Sequence, residues 1–124
     1  MKVLAIETTC DETAAAVVER GPVVLSDVVY SQIEEHAPFG GVVPEIASRS
    51  HVEQLTAMIE EALTRAQLHP CDLDAIAVAH RPGLIGALMI GVTTAKALAW
   101  SWDLPIIGVH HLQAHLEAAA LAGE

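Results

Sequence analysis

Two histidines near the end of the chain, His111 and His115, stand four positions apart in His110-His111-Leu112-Gln113-Ala114-His115-Leu116-Glu117. Leu112, Ala114, Leu116, Ala118 to Ala120 and Leu121 suggest a helix there, and both rings would project from one face, where they can grip one divalent metal. Alone, such a pair also fits a solvated or half-buried helix face. It is not the zinc-peptidase HExxH, because Leu112 follows His111 where that motif needs a glutamate as general base. Two imidazoles are also too few, since metal sites usually take at least three protein donors with water or substrate. A further donor has to come from elsewhere.

A second concentration of chemistry lies at the other end, in Thr8-Thr9-Cys10-Asp11-Glu12-Thr13. It reads as an ordinary hairpin turn, or as a phosphate-and-magnesium turn in which hydroxyls and amides face phosphate oxygens while carboxylates hold the cation. A third is His80-Arg81-Pro82-Gly83-Leu84-Ile85-Gly86, between an apolar strand and a helical run. Strand, glycine-bearing loop and helix N-terminus form a plausible anion site. The two glycines could equally permit close helix packing.

The elements that must position these groups are legible as periodicities. Val3 to Thr8, Thr13 to Glu19 and Val23 to Tyr30 are short β-branched or apolar runs with tight links, which predicts an antiparallel meander. Glu34 to Gly41 reads as a loop whose proline and adjacent glycines forbid regular structure. Pro44 suits the first turn of a helix, and Leu55, Met58, Ile59, Ala62, Leu63 and Ala66 recur at helical spacing to about Gln67. Glu45, Ser48, Arg49, Ser50 and His51 at its start read as a wet face. Ala75 to Ala79 is an apolar strand without alternation, expected to be buried on both faces. A helix over Ala87 to Trp102 and another buried strand over Pro105 to Val109 lead into the histidine segment.

Composition bounds the function. One domain is expected from 124 residues, of which 52% are hydrophobic, and the mean hydropathy of +0.43 suggests surface meant for a partner lobe or chain. The net charge is −10 and the six basic residues are scattered singly, so tight nucleic-acid binding by this chain alone is not expected. Cys10 and Cys71 lack CxxC spacing, which fits reduced thiols in a cytoplasmic protein. The apolar run before Glu7 is too short for a signal peptide. Leu84 to Val92 is too short to span a membrane, and a soluble protein is expected.

The order β-β-β-α-β-α-β-α is the ribonuclease-H-like arrangement of each lobe of the actin, heat-shock-70 and sugar-kinase (ASKHA) superfamily, an α/β class in which the first hairpin turn cradles phosphate. Four segments extend the likeness: Ile6 to Thr13; Ser31 to Leu55 with its core Gly40-Gly41-Val42-Val43-Pro44-Glu45-Ile46-Ala47-Ser48-Arg49; Pro82-Gly83-Leu84 to Lys96; and His110 to His115. Together they resemble the TsaD family, the tRNA threonylcarbamoyladenosine transferases formerly named glycoprotein endopeptidases. The resemblance implies transfer of a threonylcarbamoyl group from threonylcarbamoyl-adenylate (threonylcarbamoyl-AMP) to N6 of the adenosine beside the anticodon. It gives His111 and His115 one iron or zinc ion. Thr9, Asp11 and Glu12 take a place beside the adenylate phosphate and magnesium, with Pro82 and Gly83 in the nucleotide loop. It also implies a smaller TsaB-like paralogue and an ATPase subunit as partners, and no membrane.

Members of the family usually run much longer, and their second lobe supplies the phosphate loop, the adenine pocket and an aspartate as third metal ligand. Residues 1–124 are therefore expected to be the first lobe, inactive until completed. Arg81 stands where the family usually has glycine, which could alter the loop backbone. Two other classes remain open on sequence: a metallopeptidase, disfavoured by the missing glutamate, and a non-catalytic interaction domain.

Overall fold

The computed structural model describes residues 1–20 and 23–111. Strands β1 (Lys2–Glu7), β2 (Glu12–Glu19) and β3 (Val23–Ser31) form the expected antiparallel meander, and β4 (Ala75–Arg81) and β5 (Ile106–His110) add to it in parallel. The order across the sheet is β3-β2-β1-β4-β5. The C-terminal ends of the parallel strands β1, β4 and β5 therefore share one rim, where Glu7, Arg81 and His110 end their strands. Ligands of open α/β sheets gather outside such a rim.

Two long helices cover one face of the sheet, α2 (Pro44–Ala66) and α3 (Ile85–Trp102). Leu4 and Ile6 alternate inward on β1, as do Ala15 and Val17 on β2, and they meet Leu55, Ile59, Ala62 and Leu63 of α2 with Ala95 and Ala99 of α3. Leu4, Leu55 and Ile76 are fully buried, and each such side chain contributes roughly 1.5–3 kcal/mol. Pro44 opens α2 in the first turn as expected, and Gln67 and Asp103 close α2 and α3 in the left-handed conformation at φ 58° and 55°. The opposite face carries alanines, Ala5, Ala14, Ala16, Ala77 and Ala79, lining a shallow hollow with Val109.

Three expectations need correction. Glu34 to Gly41 is not irregular: α1 (Ile33–His36) is one α-helical turn, followed by a 3₁₀ turn over Ala37–Phe39. Pro38 is tolerated because it sits in the first positions of that turn, and Gly40 at φ 73° supplies the left-handed stop. Strand β5 is not buried, since Ile106 and Ile107 are 40% and 41% exposed; among the described residues it forms the sheet edge and pairs with β4 alone. Ser50 and His51 are not on a wet face either: they are 3% and 0% exposed, because the start of α2 turns Ser50 toward Glu35 of α1 and His51 toward Cys10 in the β1–β2 turn. β4 is buried on both faces as expected, with Ala75, Ile76, Val78 and Ala79 all in the interior. The histidine helix, its glycine cap and His115 lie outside the described residues.

Candidate functional site

The β1–β2 turn is short because β1 ends at Glu7 and β2 begins at Glu12, leaving four residues to reverse the chain. The side chain of Glu7 folds back over it. Glu7 Oε2 accepts the Thr9 amide at 2.7 Å and the Thr9 hydroxyl, while Glu7 Oε1 lies 2.8 Å from His111 Nδ1. Thr9 Oγ1 is also 3.2 Å from that nitrogen. A carboxylate only accepts, so the hydrogen facing it belongs to Nδ1, and in the neutral ring the lone pair then belongs to Nε2.

That tautomer bears on metal binding. Metal-ligating imidazoles characteristically donate their other N–H to a carboxylate, which orients the ring and raises its basicity. Glu7 does this for His111, so the residues present fit a metal bound through Nε2. Among the described residues no group of three or more His, Cys, Asp or Glu side chains is arranged to hold an ion.

The Pro82–Gly83 loop packs directly on this turn. Leu84 N donates to Thr9 O at 2.9 Å, and a Cβ on Gly83 would stand 2.6 Å from that same oxygen. Gly83 is thus required for a backbone-to-backbone approach, and the Leu84 amide holds the turn rather than standing open to an anion. Gly86 allows the packing alternative: a Cβ there would meet Ser48 Oγ of α2 at 2.6 Å. One turn further on, Gly91 leaves room for the Thr8 hydroxyl, which donates to Ala87 O at 2.8 Å. Arg81 keeps an ordinary negative-φ backbone and ends β4 paired with His110.

Of the residues singled out by sequence, Thr9, Gly83 and His111 meet at one point. Asp11 and Glu12 lie at the open edge of the turn, partly exposed and exposed, where carboxylates can reach a cation. Pro82 is exposed in the adjoining loop. Burial, and then the charge of Asp11, pushes the Cys10 thiol above its usual range. Glu7 was the residue sequence reasoning passed over, although a carboxylate closing an apolar strand beside a hydroxyl-rich turn is an available signal. His51, Gln32 and His36 were missed as well. They are buried polar side chains on separate elements, and no spacing in the sequence connects them.

A three-strand meander extended by two parallel strands, with hydroxyls, carboxylates and a histidine gathered at the first hairpin turn, defines a ribonuclease-H-like lobe of the ASKHA class. YeaZ from Pseudomonas aeruginosa has this fold in common with it, at a TM-score of 0.64 and 19% identity over 89% of this chain and 45% of that one. The chain belongs to the TsaD family, tRNA N6-adenosine threonylcarbamoyltransferase, which matches residues 23–124. It is 59% identical over 121 residues to the tRNA N6-adenosine threonylcarbamoyltransferase of Bacillus subtilis and 60% identical over 121 residues to that of Anaeromyxobacter dehalogenans. Each match takes in 98% of this chain but only 35% or 36% of the relative. The chain thus spans about a third of the length of the curated relatives it matches.

Proposed function

We propose that this chain is the first lobe of an enzyme that transfers a threonylcarbamoyl group from threonylcarbamoyl-AMP to N6 of a tRNA adenosine, and that residues 1–124 form one structural unit completed by a second lobe. The observation that carries the reading is the contact of Glu7 with His111 beside Thr9, in a chain of this family. In the reaction N6 attacks the carbamoyl carbon, a C–N bond forms, the C–O bond to AMP breaks, and the amine loses a proton. A metal held through His111 and His115, iron or zinc, would act as Lewis acid on the carbonyl. Glu7 keeps the His111 ring oriented through Nδ1. Thr9 is fixed by Glu7 and Leu84. Asp11 and Glu12 would hold magnesium near the phosphate, and Pro82 and Gly83 close the loop against the turn.

The smaller TsaB-like paralogue docks on the first lobe and an ATPase subunit completes the complex; a groove between α2 and α3 lined by Val52, Leu55, Met89 and Ile90 together with His51 and three threonines, and the exposure of Ile85 and Met89 on α3 at 78% and 61%, support a partner with a part-apolar face. The acidic charge supports tRNA contact through the second lobe or a partner. The enzyme works in the cytoplasm, and the free thiols Cys10 and Cys71 suit a reducing compartment. Among the described residues no helix is long and apolar enough to cross a membrane.

The test is to join the chain to the remaining part of the Bacillus subtilis relative and measure transfer of labelled threonine to tRNA from a threonylcarbamoyl-AMP generating system. Transfer that disappears in His111→Ala is expected. A folded, metal-loaded fusion that transfers nothing would sink the proposal.

A further inference from the structure

Three successive carbonyls of the β1–β2 turn are held from three different parts of the chain. Leu84 N donates to Thr9 O, His51 Nε2 to Cys10 O and Gln32 N to Asp11 O, each at 2.9 Å. The last two donors belong to one buried polar chain, and its hydrogens can be assigned link by link. A carbonyl only accepts, so His51 carries its hydrogen on Nε2 and its Nδ1 accepts, from the Thr13 hydroxyl at 2.8 Å and at longer range from Gln32 Nε2 at 3.5 Å. Gln32 Nε2 also faces Ala47 O at 3.4 Å, which puts its amide nitrogen on this side and Oε1 on the other. There Oε1 accepts from His36 Nε2 at 2.8 Å, and His36 Nδ1 in turn accepts from Val43 N at 3.0 Å. The links from Val43 to Gln32 and from His51 to Cys10 run in one direction; the contact between Gln32 Nε2 and His51 Nδ1 at 3.5 Å has the same direction and is the weak one, because Thr13 already donates to that lone pair at 2.8 Å.

The chain is thoroughly dry. Thr13, Gln32 and His51 are 0% exposed and His36 is 4%, and among the described residues no buried side-chain nitrogen or oxygen lacks a partner. Burying four polar side chains where apolar ones could fill the space adds little net stability. Leu84 and Gln32 hold Thr9 O and Asp11 O through main-chain amides that any non-proline residue supplies, whereas the hydrogen on Cys10 O comes from the His51 side chain, which no apolar residue could replace, and such a carbonyl must be paired once buried. The Gly40–Val43 loop at the far end is open to solvent, with nothing within 4 Å of a Cβ at Gly40 or Gly41.

We propose that His36, Gln32 and His51 are positioning residues that lock the Gly40–Val43 loop to the Thr9–Asp11 backbone, so that the seating of this loop sets how Asp11 and Glu12 are presented. The structural coupling stands on the hydrogen-bond chain; its consequence for adenylate binding rests on the function proposed above.

Histidine-detected NMR of the 124-residue chain tests the coupling without any activity. Both rings are expected as Nε2–H tautomers, and a hydrogen on Nδ1 of either neutral ring would overturn the chain as assigned. His36→Leu is expected to shift the amides of Cys10, Asp11 and Glu12 and the ring nitrogens of His51, whereas His36→Gln, which can still donate to Gln32 and accept from Val43, leaves them in place. Shifts confined to Gln32 and Gly40–Val43 would overturn the proposal. If His36→Leu does not fold, the tautomers of the unsubstituted chain and the His36→Gln spectrum still decide. In the completed enzyme, His51→Leu is expected to raise the KM for threonylcarbamoyl-AMP at least tenfold with metal content unchanged, and His51→Gln to recover most of it. Coupled spectra in a fusion without transfer would mean that the functional proposal has failed and the positioning has not. Transfer with uncoupled spectra would mean the reverse.

Discussion

Glu7 and His111, 104 positions apart, meet at 2.8 Å between Oε1 and Nδ1, so the first strand of the sheet orients the side chain that follows the last described one. The pair joins the two ends of the chain through the parallel neighbours β1, β4 and β5. Removing the carboxylate should leave the fold intact and loosen the ring. For Glu7→Ala in the completed enzyme, zinc affinity measured by chelator competition is expected to fall about 10- to 100-fold, the usual cost of losing a carboxylate behind a metal-bound histidine. Glu7→Gln, whose amide oxygen can still accept, should lose less. Unchanged affinity in both would show that Glu7 does not support a metal ligand.

Gly83→Ala tests the contact between loop and turn. The added methyl would lie 2.6 Å from Thr9 O and 3.0 Å from Thr9 Cβ, and neither backbone can yield without breaking the Leu84 N to Thr9 O hydrogen bond. A loss of about 1–3 kcal/mol is expected from overpacking of this kind, read from urea unfolding, together with faster amide exchange at Leu84. Wild-type stability would mean that the loop stands further from the turn.

The buried imidazole of His51 gives the chain a pH signature. Burial lowers its pKa, and the hydrogen bond to Cys10 O and the carboxylates of Glu7, Asp11 and Glu35 only partly oppose this. The folded pKa thus lies below the unfolded one, near 6.5. Above about pH 6.5 neither state is protonated there and the stability is fully present. As pH falls through the unfolded pKa, the unfolded state binds a proton that the folded state refuses, so stability declines by up to about 1.4 kcal/mol per pH unit until the folded pKa is reached. Urea unfolding between about pH 5.5 and 7 should show this slope in the wild type and lose it in His51→Gln. An equal slope in both would assign it to another group.

The sheet was legible because its signals are local. β-branched runs with tight links specified the meander, the lack of alternation in Ala75 to Ala79 specified a strand buried on both faces, and Pro44 marked the start of α2. The same locality explains the failures. Whether Pro105 to Val109 lies inside or at the edge depends on what pairs with its far side, which apolar content does not encode. Ser50 and His51 looked solvated because sequence shows polarity but not the partners waiting across the fold, Glu35 for Ser50 and Thr13, Gln32 and Cys10 O for His51. The candidate site was half legible for the same reason: Thr9, Gly83 and His111 each stood in a recognisable motif, whereas Glu7 matters only because β1 and β5 end at one rim.

Gly91 and Thr8 make the last test, and it separates two opposing effects. An alanine in the middle of a helix is worth about 1 kcal/mol more than a glycine, so on propensity alone Gly91→Ala should stabilise α3. A Cβ at this position, however, would overlap the Thr8 hydroxyl, and Thr8 Cβ and Cγ2 stand 3.4 Å from it. Thr8 is fully buried and tied to Ala87 O, so it has no second rotamer to retreat to without leaving its hydroxyl unpaired. Overpacking costs of about 1–3 kcal/mol then exceed the propensity gain, and net destabilisation is expected. Thr8→Ala alone should cost about 1 kcal/mol for the lost hydrogen bond. In the double variant the methyl occupies the space the hydroxyl vacated, so the combined loss should be clearly smaller than the sum of the two single losses. Additive losses in thermal or urea unfolding would show that α3 and the end of β1 are not in contact through these two residues.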